Sequence, residues 1–260
     1  MKAVKNGCGH SADPTGEQDR APRADEAATL DALSALRAEV EACRACTRLV
    51  QHRERVAIER RPMYRAETYW GRPLFGFGDP RARLLIVGLA PAAHGGNRTG
   101  RMFTGDRSGD FLTAALYRAG FASRPESTGR EDGLCLIDCY MTAVVRCAPP
   151  GNRPLPEEIR TCRMHLRREL ELLGEVRVIL ALGRIAWDGY LAYRREEGLS
   201  IPAARPRFGH GAEVRLVPEG PMLVGSYHPS QQNTQTGRLT ESMMDSVLHQ
   251  VRTHLGALDA

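Results

Sequence analysis

The chain has 260 residues and a formal net charge of +5, from 36 basic and 31 acidic side chains. Only two of the basic residues, Lys2 and Lys5, are lysines, and this excludes Schiff-base enzymes, pyridoxal enzymes and P-loop proteins, each of which needs an ε-amine on a rigid element. A chain of this length with 42% hydrophobic residues can bury a large core without disulfides, so its seven cysteines are expected to be thiols or metal ligands in a reducing compartment.

The first 27 residues are polar, rich in Gly, Pro and Asp, and show no apolar periodicity. This composition predicts a disordered tail over 1–27, followed by one domain over 28–260. No apolar run approaches the roughly 18 residues of a membrane span, and the N-terminus lacks the apolar core of a secretion signal. We therefore expect a cytoplasmic protein that does not bind membranes.

Apolar residues at helical spacing follow the tail and lead into a pair of cysteines. The helix is indicated by Leu30, Leu33, Leu36 and Val40. Two residues separate Cys43 from Cys46, so both sulfurs can reach one ion from a single turn, and Cys147 and Cys162 stand farther along the chain. Four thiolates can hold a zinc ion or an iron-sulfur cluster, and the spacing alone leaves both open.

Four continuous apolar runs, at 84–88, 134–145, 176–182 and 222–226, alternate with helical or loop segments. This pattern predicts a single α/β domain whose central four-stranded parallel sheet is flanked by helices. Cys135 and Cys139 fall in the second run at an even spacing, which predicts that both are small core residues on one face.

Two of the helices carry clear start signals. One begins at Pro156 and carries an apolar stripe formed by Leu155, Ile159, Cys162, Leu166, Leu170 and Leu173. The closing helix starts at Thr240, with an inward face formed by Met243, Val247, Val251 and Leu255.

Ligands of parallel sheets bind at the carboxyl ends of the strands, which here feed loops 88–110, 146–154 and 226–240. Small residues after the first strand allow backbone amides to approach a ligand, although a tight turn explains them as well. Farther along the same loop, Arg98 and Arg101 flank glycines and the single aromatic Phe103. This combination suits phosphate contact beside a platform for stacking a base.

The last loop places His228 before a proline, followed by short hydrogen-bonding side chains and Arg238. A histidine at a strand end can stabilise charge on a leaving group. Its neighbours favour a role in nucleic-acid contact.

Together these segments resemble the uracil-DNA glycosylase superfamily, specifically its family 5 enzymes, which carry an iron-sulfur cluster. GLAPA at 88–92 is similar to the first superfamily motif and SYHPS at 226–230 to the second. NRTGRMFTGDRSG, between them, resembles the family 5 loop. The similarity covers about 30–255, and it implies a [4Fe-4S] cluster held by Cys43, Cys46, Cys147 and Cys162.

The resemblance implies a monofunctional glycosylase that flips uracil or another deaminated base out of DNA, stacks it on Phe103 and hydrolyses its N-glycosidic bond, which initiates base excision repair. It further implies that His228 donates a hydrogen bond to the uracil carbonyl, with help from backbone amides of the turn at Gly88, Leu89 and Ala90.

A separate hypothesis, drawn from the residues of the loops, concerns contacts with the rest of the duplex around the flipped base. Gln232 and Asn233 would fill the gap left by the base, while Arg101 and Arg238 would grip phosphates. DNA is then the expected partner. The sequence indicates one binding face and contains no heptad repeats, so we expect a monomer.

Two residues depart from the wider superfamily. Ala90 stands where the best-known members have a carboxylate that positions water, and Asn97 is the nearest polar replacement, too weakly basic to deprotonate it. Ala143 stands where many relatives place an asparagine that reads the edge of uracil. We therefore predict a looser pocket that also accepts hypoxanthine.

Two alternatives belong to other classes. A redox or sensor protein would use the cluster to transfer electrons, although no GxGxxG follows a strand to bind a second cofactor. A non-catalytic lesion-binding module is the other, because Ala90 supplies no base.

Overall fold

The computed structural model describes residues 24–199 and 206–256. Six strands form one mixed sheet in the order β1-β3-β2-β4-β6-β5. In chain order, the strands are β1 (Phe77–Gly78), β2 (Leu84–Gly88), β3 (Cys139–Ala143), β4 (Val178–Leu182), β5 (Glu213–Arg215) and β6 (Met222–Ser226).

The four inner strands are mutually parallel, as expected from their continuous apolar sequences. The outer strands β1 and β5 pair antiparallel with β3 and β6. The predicted four-stranded parallel sheet therefore describes the centre but not the whole sheet. Both outer strands are too short to give an apolar run, and β5 exposes Glu213 and Arg215.

The helices cover both faces of this sheet. They are α1 (Ala24–Ala42), α2 (Thr47–Glu59), α3 (Gly96–Thr99), α4 (Arg107–Arg118), α5 (Pro156–Leu172), α6 (Arg184–Glu196), α7 (Gln231–Gln235) and α8 (Glu241–Gly256). The helix α1 begins inside the interval 1–27 that was predicted as a tail; residues 1–23 lie outside the described residues. No helix in the described part of the chain is long and apolar enough to cross a membrane.

The two-residue period of a strand divides the core into two layers. Leu84 and Ile86 of β2 pack with residues of α4 and α8. Leu85 and Val87 face the opposite side, where they pack with residues of α5 and α6. The predicted starts of α5 and α8 are supported locally: the Glu158 carboxylate accepts from the Leu155 amide at 2.7 Å, and Thr240 Oγ1 accepts from the Met243 amide at 3.2 Å.

The second strand is shorter than the predicted 134–145. Asp138 has a φ of +51°, and its carboxylate accepts from the backbone amide of Arg83 at 2.8 Å, so the chain turns immediately before β3. Leu136 makes a separate antiparallel bridge to Ala122. Cys135 and Cys139 therefore do not share a strand face, and only Cys139 is fully buried.

Candidate functional site

The carboxyl ends of β2, β3 and β6 bring several of the predicted site residues together. Gly88 ends β2, and a Cβ there would lie 2.5 Å from Cζ of Phe103, so only glycine allows the ring to lie against this strand end. Ala143 ends β3 and is buried with Leu74 and Met102 in an apolar cluster against which Phe103 packs. The result is a flat aromatic surface beside a closed apolar floor.

Phe103 is held in place by its own backbone. Its φ of +48° is in the left-handed region, which an aromatic residue rarely adopts. Behind it, a Cβ at Gly109 would lie 2.3 Å from the Phe103 carbonyl oxygen. Asp106 caps the adjoining helix α4 by accepting from the amides of Ser108 at 2.9 Å and Gly109 at 3.0 Å. The ring is therefore positioned by a defined turn and a helix start.

His228 follows β6 and faces this aromatic surface. Its ring centroid lies 6.3 Å from that of Phe103, with 35° between the planes. Burial lowers the pKa of His228 to about 4, so the imidazole is neutral at pH 7 and has one N–H to donate. Among the described residues, His228 hydrogen-bonds through its backbone carbonyl and not through its ring nitrogens.

The turn after β2 is anchored to the segment after β3. The Val144 amide donates to the Gly88 carbonyl and the Val145 amide to the Leu89 carbonyl, both at 3.0 Å. These bonds continue the parallel pairing beyond the strand ends. They fix the position of Ala90, which is partly exposed and offers only a methyl group.

Asn97 is fully buried behind this turn, at 0% exposure. Its Nδ2 donates to the carbonyl oxygens of Arg53 at 3.2 Å and Ala93 at 3.4 Å. Within the described part of the chain, Oδ1 has no hydrogen-bond partner. The amide nitrogen is thus used to tie the turn to α2, and only the oxygen remains for a water.

The environment of Arg101 disagrees with the prediction that it grips a phosphate. The side chain is buried, and Nη1 donates to the Asp132 carboxylate at 2.9 Å. Nη2 donates to Asp132 and to Ser127, and Nε donates to Thr104. Burial would raise the pKa of Asp132, but hydrogen bonds from Arg101 and backbone amides outweigh it and lower the pKa to about 2. Arg101 is a structural clamp between two loops.

The loop after β6 separates into buried and exposed parts. Asn233 Nδ2 donates to the His228 carbonyl at 2.8 Å, so this side chain stabilises the histidine turn. Gln232 is exposed. Arg238 is also exposed, and its guanidinium lies 4.9 Å from the centre of the Tyr227 ring. Gln232 and Arg238 are therefore the predicted DNA-contacting residues of this loop that remain accessible to a partner.

The four predicted ligand cysteines line one small cavity of about 30 Å³. Cys43 and Cys46 lie between α1 and α2, Cys147 follows β3, and Cys162 lies on α5. All four are free thiols. Burial raises the pKa of Cys147 to about 11 and that of Cys162 to about 12, so a metal bound here would have to displace their protons.

The cavity wall also supplies hydrogen-bond donors to sulfur. Arg53 Nη1 donates to Cys147 Sγ at 2.8 Å, and the Arg146 amide donates to Cys162 Sγ at 3.3 Å. Among the described residues, no three His, Cys, Asp or Glu side chains converge closely enough to hold a single metal ion.

Sequence reasoning missed Arg53. It lies seven residues after Cys46 on α2, on the same face as the buried Leu49 and Val50. An arginine in this apolar stripe was the available signal, because residues at i, i+3, i+4 and i+7 share a helix face.

Sequence reasoning also missed Glu169, which is fully buried on α5. Its carboxylate pairs with Arg146 at 2.5 Å and accepts from the Tyr140 hydroxyl at 2.9 Å and from the Gly76 amide at 3.0 Å. In the sequence this residue lies seven positions after Cys162 and three after Leu166, so its place in the apolar stripe of the helix was the available signal.

Comparison with known proteins gives one family. The profile of the Uracil DNA glycosylase superfamily matches residues 75–252. The Type-5 uracil-DNA glycosylase of Mycobacterium tuberculosis is 51% identical over 222 residues, which cover 85% of this chain and 81% of that protein. The corresponding protein of Thermus thermophilus is 54% identical over 215 residues, or 83% of this chain and 94% of its own length. A Type-4 uracil-DNA glycosylase of Thermotoga maritima is 37% identical over 156 residues, or 60% of this chain and 68% of its own.

Proposed function

This chain belongs to the uracil-DNA glycosylase superfamily, and from its type-5 relatives we infer that it is a hydrolase that removes uracil from DNA by breaking the N-glycosidic bond. The main observation in support of this function is that the ring centroids of Phe103 and His228 lie 6.3 Å apart, beside Gly88 at the end of β2. An aromatic plane and a neutral donor in one cleft suit a flat base with carbonyl groups.

Base binding requires the target nucleotide to leave the duplex, because the bond to be broken is inaccessible inside the stack. Phe103 would stack on the flipped base, and its fixed backbone gives the base one defined plane. Ala143 lies at the edge of this plane without a hydrogen-bonding group. We propose that this apolar floor admits hypoxanthine as well as uracil.

The leaving base carries the developing negative charge. A neutral imidazole, which the low pKa of His228 provides, can donate its N–H to the uracil carbonyl without transferring a proton. Such a preorganised donor stabilises the transition state more than the ground state. The amides of the turn at Gly88, Leu89 and Ala90 would supply further donors to the same base.

Water must attack the sugar as the base departs. Ala90 offers no carboxylate to position it, and we assign that task to Asn97 through its unpaired Oδ1. An amide oxygen accepts a hydrogen bond from water but does not deprotonate it. Catalysis would therefore be mainly electrostatic.

We assign the contacts with the rest of the duplex to side chains that are exposed to solvent. Gln232 would enter the gap left by the base, with Asn233 holding the histidine turn beneath it. Arg238 would contact a phosphate, and the buried Arg101 would not. We propose that the protein acts as a monomer, and its cytoplasmic location stays a prediction.

We propose that Cys43, Cys46, Cys147 and Cys162 hold a [4Fe-4S] cluster. The support is that four free thiols, from three separate segments of the chain, line one cavity. A bound cluster would supply a covalent link between the α1–α2 junction, the end of β3 and α5, together with one-electron redox capacity.

The reaction is tested with purified protein and a duplex containing one uracil, under single-turnover conditions. We expect free uracil and an abasic strand that breaks only after alkali. Strand cleavage without alkali would contradict a monofunctional enzyme, since both lysines of the chain lie within its first five residues. Tight binding without release of uracil would favour a lesion-binding module.

The pocket is tested by offering the same protein a hypoxanthine duplex. Release of hypoxanthine is expected, and an Ala143→Asn variant should lose that activity relative to uracil, while Ala143→Ser serves as a control for polarity. A wild-type protein that cuts uracil and leaves hypoxanthine intact would refute the loose pocket.

A further inference from the structure

Arg53 is a buried cation on the wall of the cysteine cavity. Its side chain is 2% exposed, and it belongs to the cavity lining together with all four cysteines. Nη1 donates to Cys147 Sγ at 2.8 Å and Nη2 donates to the Cys43 carbonyl at 3.1 Å. The guanidinium is therefore directed at two segments that carry the thiols.

The described residues provide no buried carboxylate for this charge. The nearest ion-pair partner is Glu54, 4.0 Å away and 41% exposed. Nε is buried and has no hydrogen-bond partner among the described residues. Arg146, by contrast, pairs at 2.5 Å with the fully buried Glu169. A buried charge without a close partner is strongly unfavourable, and the cavity that Arg53 lines is the adjacent place for a counter-charge.

We propose that Arg53 is the counter-charge of the cluster and the link between the cluster and the active-site turn, an inference that rests on the proposed [4Fe-4S] group. Four thiolates make such a cluster anionic, and a cation that hydrogen-bonds to a ligand sulfur favours the reduced form. The backbone of the same residue reaches the other site, because its carbonyl accepts from Asn97 Nδ2 at 3.2 Å.

This geometry makes Arg53 a positioning residue with two separable effects. Its charge and its hydrogen bond to Cys147 act on the cluster, whereas its carbonyl acts on Asn97. Substitution of the side chain therefore changes the reduction potential and retention of the cluster directly. The hydrogen bond to Asn97 belongs to the backbone and is kept while α2 remains folded.

The experiment compares wild type with Arg53→Gln, Arg53→Lys and Arg55→Gln. Arg55 is on the same helix but 62% exposed, so its replacement removes one charge far from the cavity wall. Iron and acid-labile sulfide are counted per chain, the midpoint potential is measured by spectroelectrochemistry, and far-UV circular dichroism monitors folding. These readouts do not depend on glycosylase activity.

Arg53→Gln is expected to shift the potential to more negative values and to shorten the half-life of the visible absorbance in air several-fold. Arg53→Lys should restore most of the potential because it keeps the charge, and Arg55→Gln should match wild type. If Arg53→Gln does not fold, Arg53→Lys must still hold wild-type iron.

Equal potentials in Arg53→Gln and Arg55→Gln would overturn the proposal. An Arg53→Lys protein as poor in iron as Arg53→Gln would also overturn it, because packing rather than charge would then explain the residue. A wild-type protein without iron or sulfide is a different result, since it refutes the proposed cluster itself.

Discussion

His228 combines enclosure with unused hydrogen-bonding capacity. It faces Phe103, and no described side chain occupies its ring nitrogens. If the neutral imidazole stabilises the departing base, His228→Ala should lower the single-turnover rate on a uracil duplex by about 10²–10³-fold, the usual cost of one preorganised donor. His249 is exposed on α8, and His249→Ala is the matched control with an expected unchanged rate. A His228→Ala rate equal to the control would remove the residue from the mechanism.

The same histidine should make stability depend on pH. Its pKa is about 4 in the folded chain and about 6.5 when unfolded, so the unfolded state binds more protons between these values. The free energy of unfolding therefore falls as the pH drops through this window, by about 2 kcal/mol from pH 7 to pH 5 for this residue. Urea unfolding of wild type and His228→Ala at both pH values measures it. Other histidines contribute equally to both proteins, and parallel pH profiles would contradict the lowered pKa.

For single residues, the sequence indicates the chemistry of a side chain better than it indicates the partners that surround it. Gly88, Phe103 and His228 were predictable as a group because each lies at or after the end of a strand, and these strand ends lie at the same edge of the sheet. The partners of Arg101 were not, because Asp132 and Ser127 come from a distant loop whose path no local pattern specifies. An arginine beside glycines has the same sequence appearance whether it faces DNA or a buried carboxylate.

One buried ion pair, between Arg146 and Glu169, joins the segment after β3 to α5. Glu169→Gln keeps the size of the side chain but leaves Arg146 as an uncompensated charge in the core. The free energy of unfolding should fall by about 3–5 kcal/mol, measured by urea denaturation. Glu171, on the same helix and 45% exposed, gives the control Glu171→Gln, for which a loss under about 1 kcal/mol is expected. Similar losses in the two variants would mean that the buried pair is not needed.

Strands that consist of a continuous apolar run were predicted from the sequence, and strands without such a run were not. β2 and β6 match their apolar runs, because buried parallel strands need no polar face. β3 starts five residues late, because Asp138 adopts a positive φ that apolar composition does not reveal. The edge strands β1 and β5 form by pairing with β3 and β6, and this tertiary pairing cannot be read from their own short sequences.

On the scale of the whole molecule, only part of the basic charge behind the net charge of +5 is free to contact DNA. Many arginines are paired within the fold, whereas Arg238 is exposed beside the site. Arg238→Gln should lower the slope of log binding constant against log salt by about 0.9, the contribution of one phosphate contact. Binding of a uracil duplex measured by fluorescence anisotropy over a salt series gives the slope.

The control for this prediction is Arg167, on the outer side of α5, which is 50% exposed and paired with Glu171 and Glu197. Arg167→Gln should leave the slope unchanged. A wild-type slope in Arg238→Gln would show that the exposed arginine does not meet a phosphate.

The strand order has a consequence for the growing polypeptide. The four cysteines that line the cavity are complete once residue 162 has been synthesised, whereas the base pocket waits for His228, just beyond the last-made central strand β6. A ribosome-bound chain therefore contains all four thiols well before it contains the histidine that faces Phe103. The order in which the strands are synthesised therefore lets binding of the proposed cluster precede completion of the base pocket.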